Sequence, residues 1–393
     1  MSPSASARLC SLSRRTTGAR DPTRPGPEDF LVPGPGPYLL THSVGALPRA
    51  AMGGVYADFI QPWIERGGDA WPAWLGCIDR FCAALAALLG GRDSEYCPQP
   101  NLSAALAKLL PALPTPPVGK RVWIAAEETF PSLGFVMQRT QGLGYELRLL
   151  PRSADPGDLQ SWDTALTPEV CGALITHVHS NAGVVSPVAA ITRLCTARGV
   201  WSIVDVAQSA GILPLAVETL GADVVLGSCV KWLCGGPGAG FLWVRPGLIP
   251  QLRPVDVGWF SHADPFEMDI HSFRYADNAR RFWGGTPSVA PYALATAGLQ
   301  LLRSVGIDAV LAHNRALIHA FLEAAPHRLR ESVRLEQRGG TLCIPVGEAL
   351  AAVRAALETA QVRFDCRGPV VRLSFHLCNT MDDAWATGRA WPR

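Results

Sequence analysis

The sequence predicts an α/β fold, in which a mostly parallel sheet is covered by helices and a smaller α+β domain follows it in the chain. Short apolar runs alternate with helical segments through the middle of the sequence, and this alternation is typical of a parallel sheet. Beyond about Leu302 the pattern changes to a few helices and short strand-like runs. With 393 residues, of which 48% are hydrophobic and 17% charged, the chain can bury a large core and divide into two domains.

The N-terminal residues 1–37 are rich in Ser, Arg, Pro and Gly, a composition that buries too little apolar surface to order itself. We therefore expect a flexible arm over 1–37. Apolar residues at helical spacing predict a helix over 59–89, which the pair Gly90-Gly91 would end. After the arm we predict a large domain over 38–302, whose N-terminal segment also contributes to the small domain, and a small domain over 303–393.

Five apolar runs predict the strands of the large domain, and they cover 122–125, 173–178, 202–206, 224–227 and 240–244. The small domain is predicted to contain helices at 309–325 and 349–361 and strands at 341–346 and 370–375. In open sheets of this kind, ligands bind at the carboxyl ends of the strands, where loops and helix N-termini meet. The residues just after each strand are therefore the candidates for a functional site.

The overall charge indicates a small-molecule substrate. Lysine and arginine total 35 against 33 acidic residues, a net charge of +2, so we expect no nucleic-acid or membrane partner. Eleven cysteines without a C-x-x-C pair favour reduced thiols and a cytoplasmic location. The first twenty residues carry four arginines and no acid, as organelle transit peptides do, but they lack amphipathic periodicity.

Polar side chains follow three of the predicted strands: His179 to Asn181 after the second, Asp205 at the end of the third, and Ser228 to Lys231 after the fourth. A carboxylate at the end of an apolar strand is costly to bury unless it meets a cation. Lys231 follows Asp205 by 26 residues, which is one strand–helix–strand unit. A structural Asp–Lys ion pair and a cofactor site would both explain this arrangement.

The surrounding motifs carry a resemblance to a known family. The segments DVAQSAG at 205–211 and GSCVKWLCGGPG at 227–238 resemble fold-type I pyridoxal 5'-phosphate (PLP) enzymes of the class V aminotransferase group, which includes kynureninases and cysteine desulfurases. Matches run in order from Tyr38 to Asp383. The resemblance implies an aspartate aminotransferase-like large domain, PLP as cofactor and a homodimer. Lys231 would hold the cofactor as a Schiff base, and Asp205 would keep its ring nitrogen protonated.

The resemblance also implies the remaining site residues. Phe130 would stack on the cofactor ring, and Gln208 would lie near the ring hydroxyl. The other residues expected to contact the cofactor are Asn181, Ser228, the helix start at Leu102 and Ser103, and the phosphate-binding Trp259 and Thr286, the last across a dimer interface. Arg372 would clamp the substrate α-carboxylate in a bidentate pair, with Ser43 as a second substrate-binding residue. Without the family, ordinary packing, capping or turn roles would explain each of these residues.

The segments around Trp259, Thr286 and Arg372 favour a kynureninase-like reaction, the hydrolytic cleavage of the substrate Cβ–Cγ bond that releases alanine. Three positions depart from that pattern: Val230 replaces a tyrosine, Leu133 an acid and Gln208 a histidine. Hence three alternatives stay open: a cysteine desulfurase or other C–S lyase, for which Cys366 is the candidate nucleophile; an epimerase or aminotransferase; and a non-catalytic binding protein. His177 and His179 have no acidic or histidine partner nearby in the sequence, so we predict no metal site.

Overall fold

The centre of the protein is a seven-stranded sheet, seen in a computed structural model that describes residues 25–151, 153–332 and 337–392. A pair of short strands, β1 (Phe30–Leu31) and β2 (Leu47–Pro48), precedes it in the chain. The sheet consists of β3 (Tyr96–Gln99), β4 (Val122–Ala126), β5 (Glu146–Leu150), β6 (Val170–Thr176), β7 (Trp201–Asp205), β8 (Val224–Ser228) and β9 (Gly240–Val244). The strand order is β3-β9-β8-β7-β6-β4-β5, and within this sheet β9 alone runs against the other strands. The prediction of an α/β fold with a mostly parallel sheet is therefore confirmed.

The helices of this part of the chain are α1 (Arg49–Val55), α2 (Gln61–Arg66), α3 (Trp71–Leu89), α4 (Leu102–Leu109), α5 (Pro131–Arg139), α6 (Leu159–Ala165), α7 (Val188–Ala197) and α8 (Ala290–Val305). The single helix predicted over 59–89 is interrupted, because Gly67 takes a positive φ (54°) that ends α2. A 3-10 turn over Gly67–Ala70 then leads into α3.

By length and composition alone, the stretch Arg49–Leu89 is long and apolar enough to cross a membrane. Its longest helix, α3, however packs against α8 and buries six side chains in the main core. Those six are Cys77, Ile78, Phe81, Cys82, Leu85 and Leu89. This packing is typical of a core helix in a globular protein.

A second, three-stranded sheet forms near the C-terminal end, with β12 (Val370–Ser374) between β10 (Thr341–Pro345) and β11 (Asp365–Arg367). The helices around it are α9 (Ile307–Ala324), α10 (His327–Ser332), α11 (Leu350–Thr359) and α12 (Met381–Ala390). Its buried apolar residues form a core of their own, which Leu39 joins from the N-terminal segment. Leu40 also forms a bridge with Ser374, so the beginning of the ordered chain is attached to this small sheet.

The arm predicted as flexible over 1–37 is only partly described, since residues 1–24 lie outside the described residues. Contrary to that prediction, residues 25–37 include ordered structure. Phe30 is buried, its strand pairs with β2, and its ring lies 6.3 Å from the ring of His376. The sequence pattern concealed this, because one buried aromatic side chain anchors a segment that is otherwise Pro- and Gly-rich.

Candidate active site

A cavity of about 330 Å³ opens at the carboxyl ends of β4, β6, β7 and β8. Parallel neighbours bring these ends together, as the register of Thr176 opposite Asp205 shows. The N-terminus of α4 reaches the same edge because β3 leads directly into it. Nine of the predicted site residues line this one cavity: Ser43, Leu102, Ser103, Phe130, Asp205, Gln208, Ser228, Lys231 and Arg372.

Asp205 and Lys231 are two of the ionisable groups that line the cavity, and both are buried. Burial raises the pKa of Asp205, although a hydrogen bond from the backbone N–H of Ala207 (2.8 Å) and the charge of Lys231 both oppose that shift. Burial lowers the pKa of Lys231, and the charge of Asp205 opposes it. The side chains are thus close enough to interact electrostatically, and each is held in surroundings that disfavour its charge.

The loop that carries Lys231 is fixed by a close approach of the N-terminal segment. The backbone N–H of Gly45 donates to the carbonyl of Val230 (2.7 Å), and a Cβ at position 45 would lie 2.1 Å from the carbonyl oxygen of Lys231. Only glycine therefore fits at position 45 without moving the lysine loop. The Nζ atom of Lys231 lies 5.4 Å from the ring centroid of Phe130 and has no hydrogen-bond partner among the described residues.

The unsatisfied polar groups of the cavity fit the groups of PLP. The buried carboxylate of Asp205 lacks a full counter-charge, as expected for a partner of a protonated ring nitrogen. The Lys231 amine is available to bind an aldehyde carbon. Within the described structure, the buried Thr176 Oγ1 also has no hydrogen-bond partner, and the N-terminus of α4 offers backbone N–H groups for a phosphate.

The Gln208 amide is held on both sides by protein groups. Trp232 Nε1 donates to its Oε1 (3.1 Å), and its Nε2 donates to the backbone carbonyl of His42 (2.9 Å). One N–H of the amide remains for a ligand in the cavity. The chain therefore orients Gln208 as a hydrogen-bond donor, which agrees with the role expected for it beside a ring hydroxyl.

Arg372 lies at the wall of the cavity that the small sheet supplies. The Nε (2.8 Å) and Nη2 atoms of Arg372 donate hydrogen bonds to the carboxylate of Asp365. His42 Nε2 lies 3.0 Å from the same carboxylate. Burial opposes ionisation of Asp365, but the hydrogen bonds from His42 and Arg372 outweigh it and hold the pKa of that carboxyl well below its usual range. Asp365 thus positions the guanidinium that we predict to bind substrate.

Three predicted residues do not line the cavity. Asn181 is exposed and accepts a hydrogen bond from Arg367 Nη1 (2.6 Å), whereas its neighbour Ser180 lines the cavity instead. Trp259 packs in an aromatic cluster, 5.5 Å from the ring of Trp71. Thr286 is exposed. The expected phosphate contact of Trp259 is therefore not made in the cavity of its own chain, whereas the role expected for Thr286 lies across a dimer interface and stays a prediction.

Several residues that line the cavity were not among the predicted site residues, and those with polar side chains include His42, Glu128, Thr176, Ser180 and Arg367. Ser180 and Thr176 could have been found, because they belong to the same strand end as Asn181. Arg367 gave no signal, since β11 is only three residues long and has no recognisable periodicity.

Cys366, the candidate nucleophile of the desulfurase alternative, packs against the core of the small domain rather than lining the cavity. Its neighbours in β11, Asp365 and Arg367, project to the opposite face, as alternation along a strand requires. Burial raises the pKa of its thiol. None of the ten cysteines in the described part of the chain lines the cavity.

Comparison with known proteins agrees with this geometry. The model of the "Aminotransferase class-V" family matches residues 135–385. This chain belongs to the class-V aminotransferase family. Its curated relatives include a kynureninase of Deinococcus radiodurans, 33% identical over 77% of this chain and 74% of that protein, and a kynureninase of Pseudomonas fluorescens, 28% identical over 93% and 91%. As a class-V enzyme of the kynureninase-like type, it uses PLP as its cofactor.

The fold is also that of solved PLP enzymes. The cystine C–S lyase C-DES, in a mutant form with glycine covalently linked to its PLP cofactor, superposes with a TM-score of 0.78 over 88% of this chain and 94% of that one. The two sequences are 21% identical, so the likeness establishes a shared fold and not a shared reaction. The predicted PLP fold-type I architecture of this class-V enzyme is confirmed.

Proposed function

We propose that this enzyme is a homodimeric, kynureninase-like hydrolase that cleaves the Cβ–Cγ bond of kynurenine or a related amino acid and releases alanine. The observation that carries the proposal is the similarity to kynureninases, which reaches 33% identity over about three quarters of the chain. The cavity supports it, because Leu133, Val178 and Val230 supply apolar surface suited to an aromatic side chain.

When bound, PLP supplies an electron-accepting ring, and the residues of the chain position it and move protons. The Asp205 carboxylate would keep a proton on the ring nitrogen, since a buried anion favours a cation beside it. The Lys231 amine, whose pKa is lowered by burial, removes the proton from the substrate α-carbon and returns one to the product. Phe130, which lines the cavity, would stack on one face of the bound ring.

Hydrolysis also needs a group that activates water, and in this role Glu128 replaces the acid that is absent at Leu133. Glu128 follows the end of β4, and its half-buried side chain lines the cavity. Apart from Asp205, it is the carboxylate that lines the described part of this cavity. We assign it the task of taking a proton from the attacking water.

A cysteine desulfurase function is less well supported. Desulfurases need a nucleophilic cysteine that reaches the substrate, and in the described structure Cys366 faces the core of the small domain. A C–S lyase that needs no cysteine would still fit the cavity. Sulfide release from cysteine therefore belongs in the same assay as kynurenine cleavage.

The test starts with the purified protein, PLP and four substrates: kynurenine, 3-hydroxykynurenine, cysteine and cystine. We expect visible absorbance of covalently bound PLP and the fluorescence of anthranilate-type products from the first two substrates. Lys231→Ala should abolish both signals, whereas Cys366→Ser should leave them unchanged. Wild-type protein that binds PLP but forms only sulfide would replace the proposed function with C–S lysis.

A further inference from the structure

Arg367 is a second guanidinium at the wall where Arg372 is expected to bind substrate. Along β11 the side chains of Asp365 and Arg367 project to the same face, and β12 pairs Arg372 directly opposite Asp365. Both arginines line the cavity. The small sheet therefore presents two guanidinium groups to the cavity, with the Asp365 carboxylate paired to Arg372 behind them.

The hydrogen-bonding capacity of Arg372 is largely used within the protein. Its Nε and Nη2 atoms bind the carboxylate of Asp365 in a bidentate pair, and its Nη1 donates to the backbone carbonyl of Ser180 (3.1 Å). A guanidinium has five N–H groups, so two remain. The edge formed by Nε and Nη2, which commonly makes the strongest carboxylate pair, is not available to a ligand.

Arg367, in contrast, has only neutral hydrogen-bond partners. Its Nη1 donates to Ser180 Oγ (2.9 Å) and to Asn181 Oδ1 (2.6 Å), while its Nε and Nη2 have no hydrogen-bond partner among the described residues. Ser180 thus accepts from both guanidinium groups and holds them side by side. Burial lowers the pKa of Arg367, and the charge of Arg372 lowers it further. An anion placed between the two guanidinium groups would favour their charged forms and so oppose this lowering.

The position of Arg367 relative to the reacting amine also suits a substrate carboxylate. Its Cζ atom lies 5.7 Å from the ring centroid of Phe130, and Lys231 Nζ lies 5.4 Å from the same centroid. In an α-amino acid the carboxylate carbon is two bonds from the amino nitrogen. The charges of both arginines also lower the pKa of Lys231, so the amine whose place a substrate nitrogen would take lies within electrostatic reach of this wall.

We propose that Arg367 and Arg372 bind the substrate α-carboxylate together, with Arg367 supplying the free Nε–Nη2 edge and Arg372 its remaining N–H groups. The inference rests on the proposed function only in taking an α-amino acid as substrate. The charges at this wall support the proposal, because the two guanidinium groups have one carboxylate, that of Asp365, beside them. Burial lowers the pKa of His42, which keeps that side chain neutral near pH 7. The carboxylate of a bound substrate would make the negative charges at this wall equal in number to the positive ones.

The experiment compares two probes on the PLP-loaded enzyme, L-alanine and L-alaninamide, which differ in the charge of the carboxyl group. Their dissociation constants are measured from the change in visible absorbance and by calorimetry. We expect Arg367→Gln to weaken alanine binding about 10- to 100-fold, as for loss of a charged hydrogen bond, and alaninamide binding by less than about threefold. Arg367→Lys should restore part of the loss.

Arg354→Gln is the matched control, because Arg354 pairs with Glu358 on the exposed face of α11, away from the cavity. It should change neither constant. PLP content and circular dichroism establish that Arg367→Gln is folded and loaded. Equal losses for both probes, or no loss for either, would overturn the inference. The proposed function would be contradicted independently of this inference if the enzyme bound alanine selectively but did not cleave kynurenine.

Discussion

The indole Nε1 of Trp232 donates to Oε1 of Gln208 at 3.1 Å, which fixes the orientation of the amide. The amide nitrogen must therefore face the carbonyl of His42 and the cavity. Because Trp232 follows Lys231 directly, the same loop that carries the reactive amine also orients this donor. Gln208 is thus a preorganised hydrogen-bond donor toward the cavity.

Gln208→Glu should weaken PLP binding about 10-fold, because the carboxylate keeps the bond from Trp232 but has no N–H to donate. The absorbance maximum of bound PLP should also shift, since the donor near the ring hydroxyl is lost. An absorbance titration measures both. Gln160→Glu, on an exposed helix face, is the control and should change neither. Unchanged affinity in Gln208→Glu would exclude a contact between Gln208 and the cofactor.

Asp205→Asn should separate the stability of the apoprotein from that of the loaded enzyme. Burial raises the pKa of Asp205, so its charge is poorly compensated before PLP binds. We expect the apo variant to melt at or above the melting temperature of the wild-type apoprotein. The increase in melting temperature on adding PLP should be smaller for the variant than for the wild type by a few degrees. Differential scanning calorimetry of both forms tests this.

Asp223→Asn provides the contrast, because that carboxylate is fully used by Ser202 and Arg245 within the protein. It should lower the melting temperature of the apo and loaded forms equally. If Asp205→Asn behaved in the same way, Asp205 would be a structural acid and not a partner of the cofactor.

Glu128→Gln should lower kcat for kynurenine about 100-fold or more, as expected for loss of a general base, with PLP content unchanged. The adjacent Glu127→Gln is the natural control, since its side chain is exposed and does not line the cavity. Steady-state assays of anthranilate formation measure the effect. Full activity of Glu128→Gln would mean that another group activates the water.

Asp365→Asn should destabilise the protein by about 2 kcal/mol near pH 7, because Arg372 loses its paired charge while it stays buried. The pKa of Asp365 is lowered in the folded state, so its ionised form contributes stability above the unfolded pKa of about 4. That contribution is lost as the pH falls further toward the folded-state pKa. Urea unfolding at pH 7, 5 and 3.5 should show the difference from wild type shrinking at the lowest pH.

The exposed pair of Asp58 and Arg80 gives the reference for this measurement. Asp58→Asn should cost less than about 1 kcal/mol, because water screens an exposed ion pair. A loss in Asp365→Asn no larger than this, or one that is independent of pH, would contradict the role of Asp365 in holding Arg372.

The sequence predicted the central strands well because β4, β6, β7 and β8 are buried on both faces and appear as continuous apolar runs. It did not predict β3 or β5. Both lie at the edges of the sheet, where Pro98 and the charged residues of β5 interrupt any apolar run. The C-terminal ends of these four strands were predicted to within two residues.

The parts of the site that sequence reasoning missed depend on tertiary contacts. A motif identifies the turn after β6, but it does not show that Ser180 enters the cavity while Asn181 points to solvent. Arg367 is brought to the cavity by the packing of the small sheet, far along the chain from Lys231. Neither residue follows from local periodicity.

Thr286 and the homodimer can be tested together by complementation. Thr286 is exposed and does not line the cavity of its own chain, so its predicted phosphate contact requires the cavity of a second copy. Thr286→Ala should therefore bind PLP weakly, and Lys231→Ala should not bind it covalently. A mixed dimer of the two variants, however, contains one site with both Lys231 and a threonine from the other subunit.

At limiting PLP, the mixed dimer should recover up to half of the wild-type visible absorbance, whereas each variant alone recovers little. Subunits are mixed under mild denaturation and refolded, and differently tagged chains allow the hybrid to be purified. Sedimentation checks that the hybrid is dimeric. In the hybrid, one site combines Lys231 of one subunit with Thr286 of the other, which neither variant alone provides. A hybrid that binds PLP no better than Thr286→Ala would therefore place the threonine outside the phosphate site.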